Sequence, residues 1–262
     1  MDGLFLAVGF VLCFWWLSTG IVLYVDGLPV RTYRWTMPLA AALMLAALFG
    51  AAATAGRADL PGAYCGFSCG LVIWGSLEAS YFSGFLTGPV RTACPPDCRG
   101  WQRFVRAVLT SLYHELLVIG VGIGLLYATA GFVNRTVAWT FLVLWIMRWS
   151  TKLNIFLGVR NLNADWLPEH LQYLVTYMRQ RPINPLFPVS VSLALIAAGY
   201  LLAGVLLAES TFEFVSRLLV LTLLLLGVLE HWLLLLPYDS GRLWSWGMRK
   251  NLQRPAIAEE QR

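Results

Sequence analysis

The sequence is short of charge. Only 13% of its 262 residues are Asp, Glu, Lys or Arg, where soluble domains carry about 25%. It is 58% hydrophobic, with a mean hydropathy of +0.67. These values exclude an ordinary soluble domain and describe a polytopic membrane protein. The net charge of +5 is therefore no sign of a nucleic-acid partner. In a membrane protein the distribution of Lys and Arg among the loops matters more than their sum. The N-terminus lacks a basic region: Asp2 is the only charge ahead of a span over 4–25. That stretch reads as a retained helix and not as a cleaved signal peptide. There is no GxGxxG, P-loop, GxSxG or HExxH, so no common nucleotide, hydrolase or metalloprotease site is legible. No internal repeat of the kind many carriers show is visible.

Cysteines are few, and three of the five, Cys13, Cys65 and Cys69, fall inside apolar segments as small packing residues. Cys94 and Cys98 have the spacing of half a zinc site, but no second pair exists, which favours a plain turn.

What is present is a set of long apolar runs. Seven are long enough to cross a bilayer: 4–25, 37–55, 63–86, 107–130, 137–157, 189–208 and 214–236. The expected fold is an all-α integral membrane protein, a seven-transmembrane-helix bundle over 1–236. Short connections at 56–62, 131–136 and 209–213 make antiparallel neighbours of the second and third, fourth and fifth, and sixth and seventh spans. Sixteen basic residues fall on one side of this arrangement. Only Arg57, Arg135 and Arg217 fall on the other. The positive-inside rule then puts the N-terminus outside and the C-terminus in the cytoplasm. In the long cytoplasmic loop 158–188, Leu171, Leu174, Val175 and Met178 recur at helical spacing. Pro168 suits a first turn and Pro182 a stop, so 165–180 is expected as an amphipathic helix, either interfacial or packed on the bundle. Residues 237–262 form a cytoplasmic tail that is basic and aromatic, with Trp244, Trp246, Arg249 and Lys250.

The most informative residues are the charges inside the apolar runs. Arg148 and Lys152 are four apart and share one helix face. Glu78, His114, Glu115, Glu230 and His231 lie on three other spans. At 1.5 Å per residue all seven sit roughly 9–18 Å from the cytoplasmic ends of their helices. Each central cation costs roughly 2.5–3.5 kcal/mol on insertion scales, so such groups face the interior and find partners. With Asn154 they form a candidate intramembrane polar cluster. It is either a structural ion-pair network or a site for a metal, a chlorin or the polar end of a lipid. A di-metal site is disfavoured, because His114–Glu115 and Glu230–His231 are adjacent and not spaced Glu-x-x-His. One histidine could ligate bacteriochlorophyll or haem. No catalytic residue is assigned.

Several stretches resemble one family. They are Ser18-Thr19-Gly20 leading to Asp26-Gly27-Leu28-Pro29; Gly84-Phe85-Leu86-Thr87-Gly88-Pro89 with Cys94-Pro95; and Lys152-Leu153-Asn154-Ile155-Phe156-Leu157-Gly158-Val159-Arg160-Asn161. Asn184-Pro185-Leu186-Phe187-Pro188-Val189-Ser190 and Glu230-His231-Trp232 complete the set. Together they are similar to PuhE, the photosynthetic complex assembly protein 2 family of purple phototrophic bacteria, over nearly the whole chain. The resemblance implies an intracytoplasmic-membrane factor that helps build the reaction centre and core antenna, with their polypeptides as partners, or handles their pigment. It implies no catalytic residue. One departure is Leu77, where relatives carry a His before the helix-three Glu. That weighs against a metal site needing that His. The alternative is an intramembrane enzyme acting on a chlorin, quinone or carotenoid through Glu78, Glu115 and Glu230.

Overall fold

The apolar runs become helices in the computed structural model, which describes residues 2–162, 164–238 and 240–247. Arg249, Lys250, Arg254 and Arg262 of the expected basic tail lie outside the described residues. The helices are α1 (Asp2–Asp26), α2 (Tyr33–Thr54), α3 (Leu60–Phe82), α4 (Gly100–Leu109), α5 (Leu112–Thr129), α6 (Thr136–Leu157), α7 (Leu186–Leu206) and α8 (Thr211–Leu233). Local chemistry sets several ends. The Asp59 side chain accepts from the Gly62 N–H at 2.8 Å, and Pro61 sits in the first turn of α3. The Arg57 guanidinium beside it holds the Asp59 carboxyl below the usual carboxylate range. Ser210 caps α8 by accepting from the Glu213 N–H at 3.2 Å.

Among the described residues, α1, α2, α3, α5, α7 and α8 are long and apolar enough to cross a membrane. The chain is thus a multi-pass, all-helical membrane protein. The expectation of seven spans depends on α6, which is long enough but carries Arg148 and Lys152 and does not meet the same apolar measure.

α3, α6 and α8 form the centre. α1 packs on α8 and α3, α2 on α3, α5 on α6, and α7 on α8. α8 is the most enclosed, with a buried run from Leu218 to Leu224. Gly227 lets Met147 of α6 approach so closely that a Cβ there would meet its side chain at 3.0 Å. The outward residues Phe5, Phe49, Ile196 and Leu206 are exposed and apolar, as lipid-facing surfaces are.

Two expectations are corrected. First, the helix expected over 107–130 is broken at Thr110–Ser111. In a continuous helix the His114 N–H would bond to the Thr110 carbonyl. Here it donates to the Thr87 carbonyl at 3.0 Å, so the loop before α4 takes the helix's own bond. Gly88 makes this approach possible, because a Cβ there would meet the Leu112 backbone nitrogen at 2.8 Å. Backbone cannot swing aside as a side chain can, so Gly88→Ala should lower accumulation of the protein in membranes, measured by immunoblot. Wild-type levels would show that the elbow tolerates displacement.

Second, 165–180 is not one α-helix. It holds 3-10 segments at Ala164–Trp166 and Glu169–Tyr177. The buried positions are Leu171, Leu174 and Tyr177, three apart, which matches three residues per turn. Arg103 of α4 ties this segment down by donating to the Tyr177 carbonyl and to the Phe156 carbonyl at 3.2 Å. At Gly158, with φ +131°, the chain leaves α6 and pairs Val159 with Gln180. The described start of the expected tail contacts α1. Residues 240–247 fold back on α1, where Trp16 donates to the Leu243 carbonyl at 2.8 Å and Trp244 to the Trp16 carbonyl at 3.0 Å.

Candidate functional site

The residues that matter gather at one end of the bundle, where α1, α3, α6 and α8 finish and α5 begins. α6 organises them, because positions four apart share a face. On one face, Arg148 Nη2 lies 2.9 Å from Glu78 Oε2 of α3. One turn on, Lys152 Nζ lies 2.5 Å from Glu115 Oε1 of α5. Each cation also stands over an aromatic ring: Arg148 over Phe82 at 5.2 Å and Lys152 over Tyr81 at 4.8 Å. His114 Nε2 is 3.5 Å from Glu78 Oε1, and its ring lies against Tyr81. Two tryptophans add charge-assisted hydrogen bonds. Trp149 Nε1 donates to Glu115 Oε2 at 2.7 Å, and Trp15 Nε1 of α1 donates to Glu230 Oε1 at 2.8 Å.

A second network uses the residues on the other side of α6. His231 Nδ1 donates to the Gly227 carbonyl at 2.8 Å, so in the neutral ring Nε2 accepts from the Ser150 hydroxyl at 2.8 Å. Asn154 donates to the Ser150 carbonyl at 2.9 Å and the Ser190 hydroxyl at 3.0 Å. Asn184 then staples the end of α6 to the start of α7. Its amide N–H groups reach the Gly158 carbonyl at 2.8 Å and Asn154 Oδ1 at 3.1 Å. Its carbonyl accepts from the N–H groups of Leu186 and Phe187 at 2.9 and 3.2 Å.

The eight residues expected in one cluster thus divide. Glu78, His114, Glu115, Arg148, Lys152 and Glu230 belong to the charged group. Asn154 and His231 belong to a neutral network at the α6–α7–α8 seam.

The charged group borders a cavity of about 440 Å³. Glu78, Arg148, Lys152 and Glu230 line its polar end, and Leu71, Val143, Leu144 and Leu223 its apolar depth. Trp166, Leu174 and Trp244 line it as well. Trp244 is only 3% exposed and stands at about right angles to both Trp15 and Trp166, with ring centroids 5.2 and 6.0 Å away.

Neither His114 nor His231 lines this cavity, and both ring nitrogens of His231 are engaged. The residues present therefore do not fit axial ligation of a chlorin magnesium or a haem iron in this space. Among the described residues no three His, Cys, Asp or Glu side chains gather as a metal site. Burial pushes the Cys94 thiol up to about 11, so it stays a thiol at neutral pH.

Sequence reasoning missed several participants. Asp26 is buried at the end of α1, with Oδ1 lacking a partner among the described residues, and is close enough to Glu78 and Arg148 to feel both charges. Its place at the edge of an apolar run made it look like a loop residue. The roles of Trp15, Trp149 and Trp244 were not legible, because nothing in the pattern says which way an indole N–H points.

Residues 1–255 match a family described as protein of unknown function (DUF3623). The chain is also similar to a protein of Rhodobacter capsulatus described as an uncharacterized 30.4 kDa protein in the puhA 5' region. The two are 32% identical over 246 residues, which is 92% of this chain and 89% of the relative. No solved structure matches.

Proposed function

The chain belongs to the DUF3623 family, and from that premise we propose that it is an integral-membrane factor for assembly of the photosynthetic reaction centre and its core antenna. The observation that carries the reading is the relative matched over nearly its full length, which takes its name from the puhA 5' region. The resemblance to PuhE points the same way. The charged end of the bundle suits such a role, since its carboxylates are held by cations and indoles around a cavity of about 440 Å³. Reaction-centre and core-antenna polypeptides are the proposed partners. Deleting the relative's reading frame in its host should lower core-complex absorbance, and this chain should restore it. Undiminished absorbance after deletion would remove the assembly reading.

The proposed setting is the intracytoplasmic membrane, with seven spans, a periplasmic N-terminus and a cytoplasmic C-terminus. α6 is the seventh span. It packs between α3 and α8, both apolar enough to cross, and its cations are paired inside the bundle. A reporter active only in the cytoplasm should work at the C-terminus, and one active only in the periplasm should work within 131–136. A silent C-terminal fusion with a periplasm-active fusion at 91–99 would invert the topology.

A further inference from the structure

Four carboxylates gather at the charged end, Asp26, Glu78, Glu115 and Glu230, against the fixed cations Arg148 and Lys152. Glu78 and Glu115 each hold one of those cations. Glu230 holds none: among the described residues Arg148 is near enough to feel its charge, but no basic side chain lies within ion-pair distance of it, and Trp15 is its hydrogen-bond donor. A carboxylate removed from water without a positive partner is costly. Glu230 also lines the cavity, so a ligand can reach it.

What surrounds it is aromatic. Trp15, Trp166 and Trp244 line the same cavity, and the Trp244 ring meets each of the other two at 74°. Three indoles therefore border one space, and indole faces attract cations more strongly than other aromatic side chains, the more so when water is excluded. Further from the ends of α3, α6 and α8 the same cavity is lined by the apolar Leu71, Val143, Leu144 and Leu223. An anionic head would instead have to compete for Arg148 and Lys152, which Glu78 and Glu115 already occupy.

We propose that this cavity binds an amphiphile with an ammonium head. The head sits against Glu230 among Trp15, Trp166 and Trp244, and an apolar chain lies along the cavity's apolar walls. This rests on the assembly reading only in naming a ligand for the same site.

The test uses the purified full chain in neutral detergent and titration calorimetry with hexyltrimethylammonium, choline and hexyl sulfate. Hexyltrimethylammonium should bind saturably, at one site per chain. Choline should bind more weakly for want of a chain, and hexyl sulfate should not saturate. Glu230→Gln keeps an oxygen for the Trp15 N–H and should weaken hexyltrimethylammonium about tenfold or more. No saturable binding to the wild type, equal or tighter binding of hexyl sulfate, or unchanged affinity in Glu230→Gln would overturn the proposal. Choline binding as tightly as hexyltrimethylammonium would overturn the amphiphile assignment. The ligand comparison needs no variant, so it decides even if Glu230→Gln does not fold. No photosynthetic partner is present in the titration, so its failure and that of the assembly reading are separate.

Discussion

Lys152→Met should sharply reduce the folded protein in membranes, and adding Glu115→Gln should restore much of it. Lys152 is the only cation paired with Glu115 among the described residues, at 2.5 Å, and Glu115 itself is buried. Methionine fills similar space without charge and leaves the carboxylate with only the Trp149 N–H. Removing one member of a buried pair costs about 3–5 kcal/mol. Couplings measured inside membranes are often nearer 1 kcal/mol, because the unfolded chain also finds partners. Lys152 keeps 26% of its side chain accessible, so the lower half of that combined range, about 1–3 kcal/mol, is expected. Against a total stability of about 5–15 kcal/mol this is enough to change abundance. Glu115→Gln in the second step removes the stranded charge, which is why rescue separates an ion pair from mere packing. Normal accumulation of the single variant, or no recovery in the double, would show that the pair does not hold the helices.

Asn184→Ala should be worse. Asn184 is 2% exposed and uses both its N–H groups and its carbonyl. Alanine would leave the Gly158 carbonyl, Asn154 Oδ1 and the Leu186 N–H without these bonds, where water does not readily reach. Each buried group so stranded costs about 1–3 kcal/mol, so the sum is roughly 3 kcal/mol or more. Asn184→Asp keeps the acceptor and loses the donors, so it should fall between. The check is thermal unfolding in detergent followed by tryptophan fluorescence. Equal midpoints for Asn184→Ala and wild type would mean that the α6–α7 junction is held by something else.

The charged group was legible because of depth. Charges in apolar runs must find partners, so Glu78, Glu115, Arg148 and Lys152, at similar distances from their helix ends, could be expected to meet. Their pairing, Arg148 with Glu78 and Lys152 with Glu115, was not legible, since depth does not fix rotation about each helix. Nor was the separation of Asn154 and His231, which face the seam with α7 and α8. The break at Thr110–Ser111 has no glycine or proline to announce it. Its cause is the Thr87 carbonyl, a contact from outside the helix. The spacing of 171, 174, 175 and 178 fits 3.6 residues per turn, yet docking against Tyr81 favoured the tighter 3-10 winding that buries Leu171, Leu174 and Tyr177. The basic and aromatic composition of the tail does not show its contacts: two indole-to-carbonyl bonds join residues 240–247 to α1.

The structure also decides which variant isolates chemistry from packing. Glu115 accepts on both oxygens, from Lys152 and from Trp149, so an amide there must lose one bond. Among the described residues Glu230 has one donor, Trp15, and a glutamine oxygen can keep it. The most direct measurement is therefore the absorbance of the assembled core complex per unit of Glu230→Gln protein, with the protein quantified by immunoblot in a phototrophic host lacking its own copy. The account predicts normal amounts of the variant in the membrane and clearly reduced core-complex absorbance. Normal absorbance at a normal protein level would contradict it and reduce the charged end of the bundle to a structural ion-pair network.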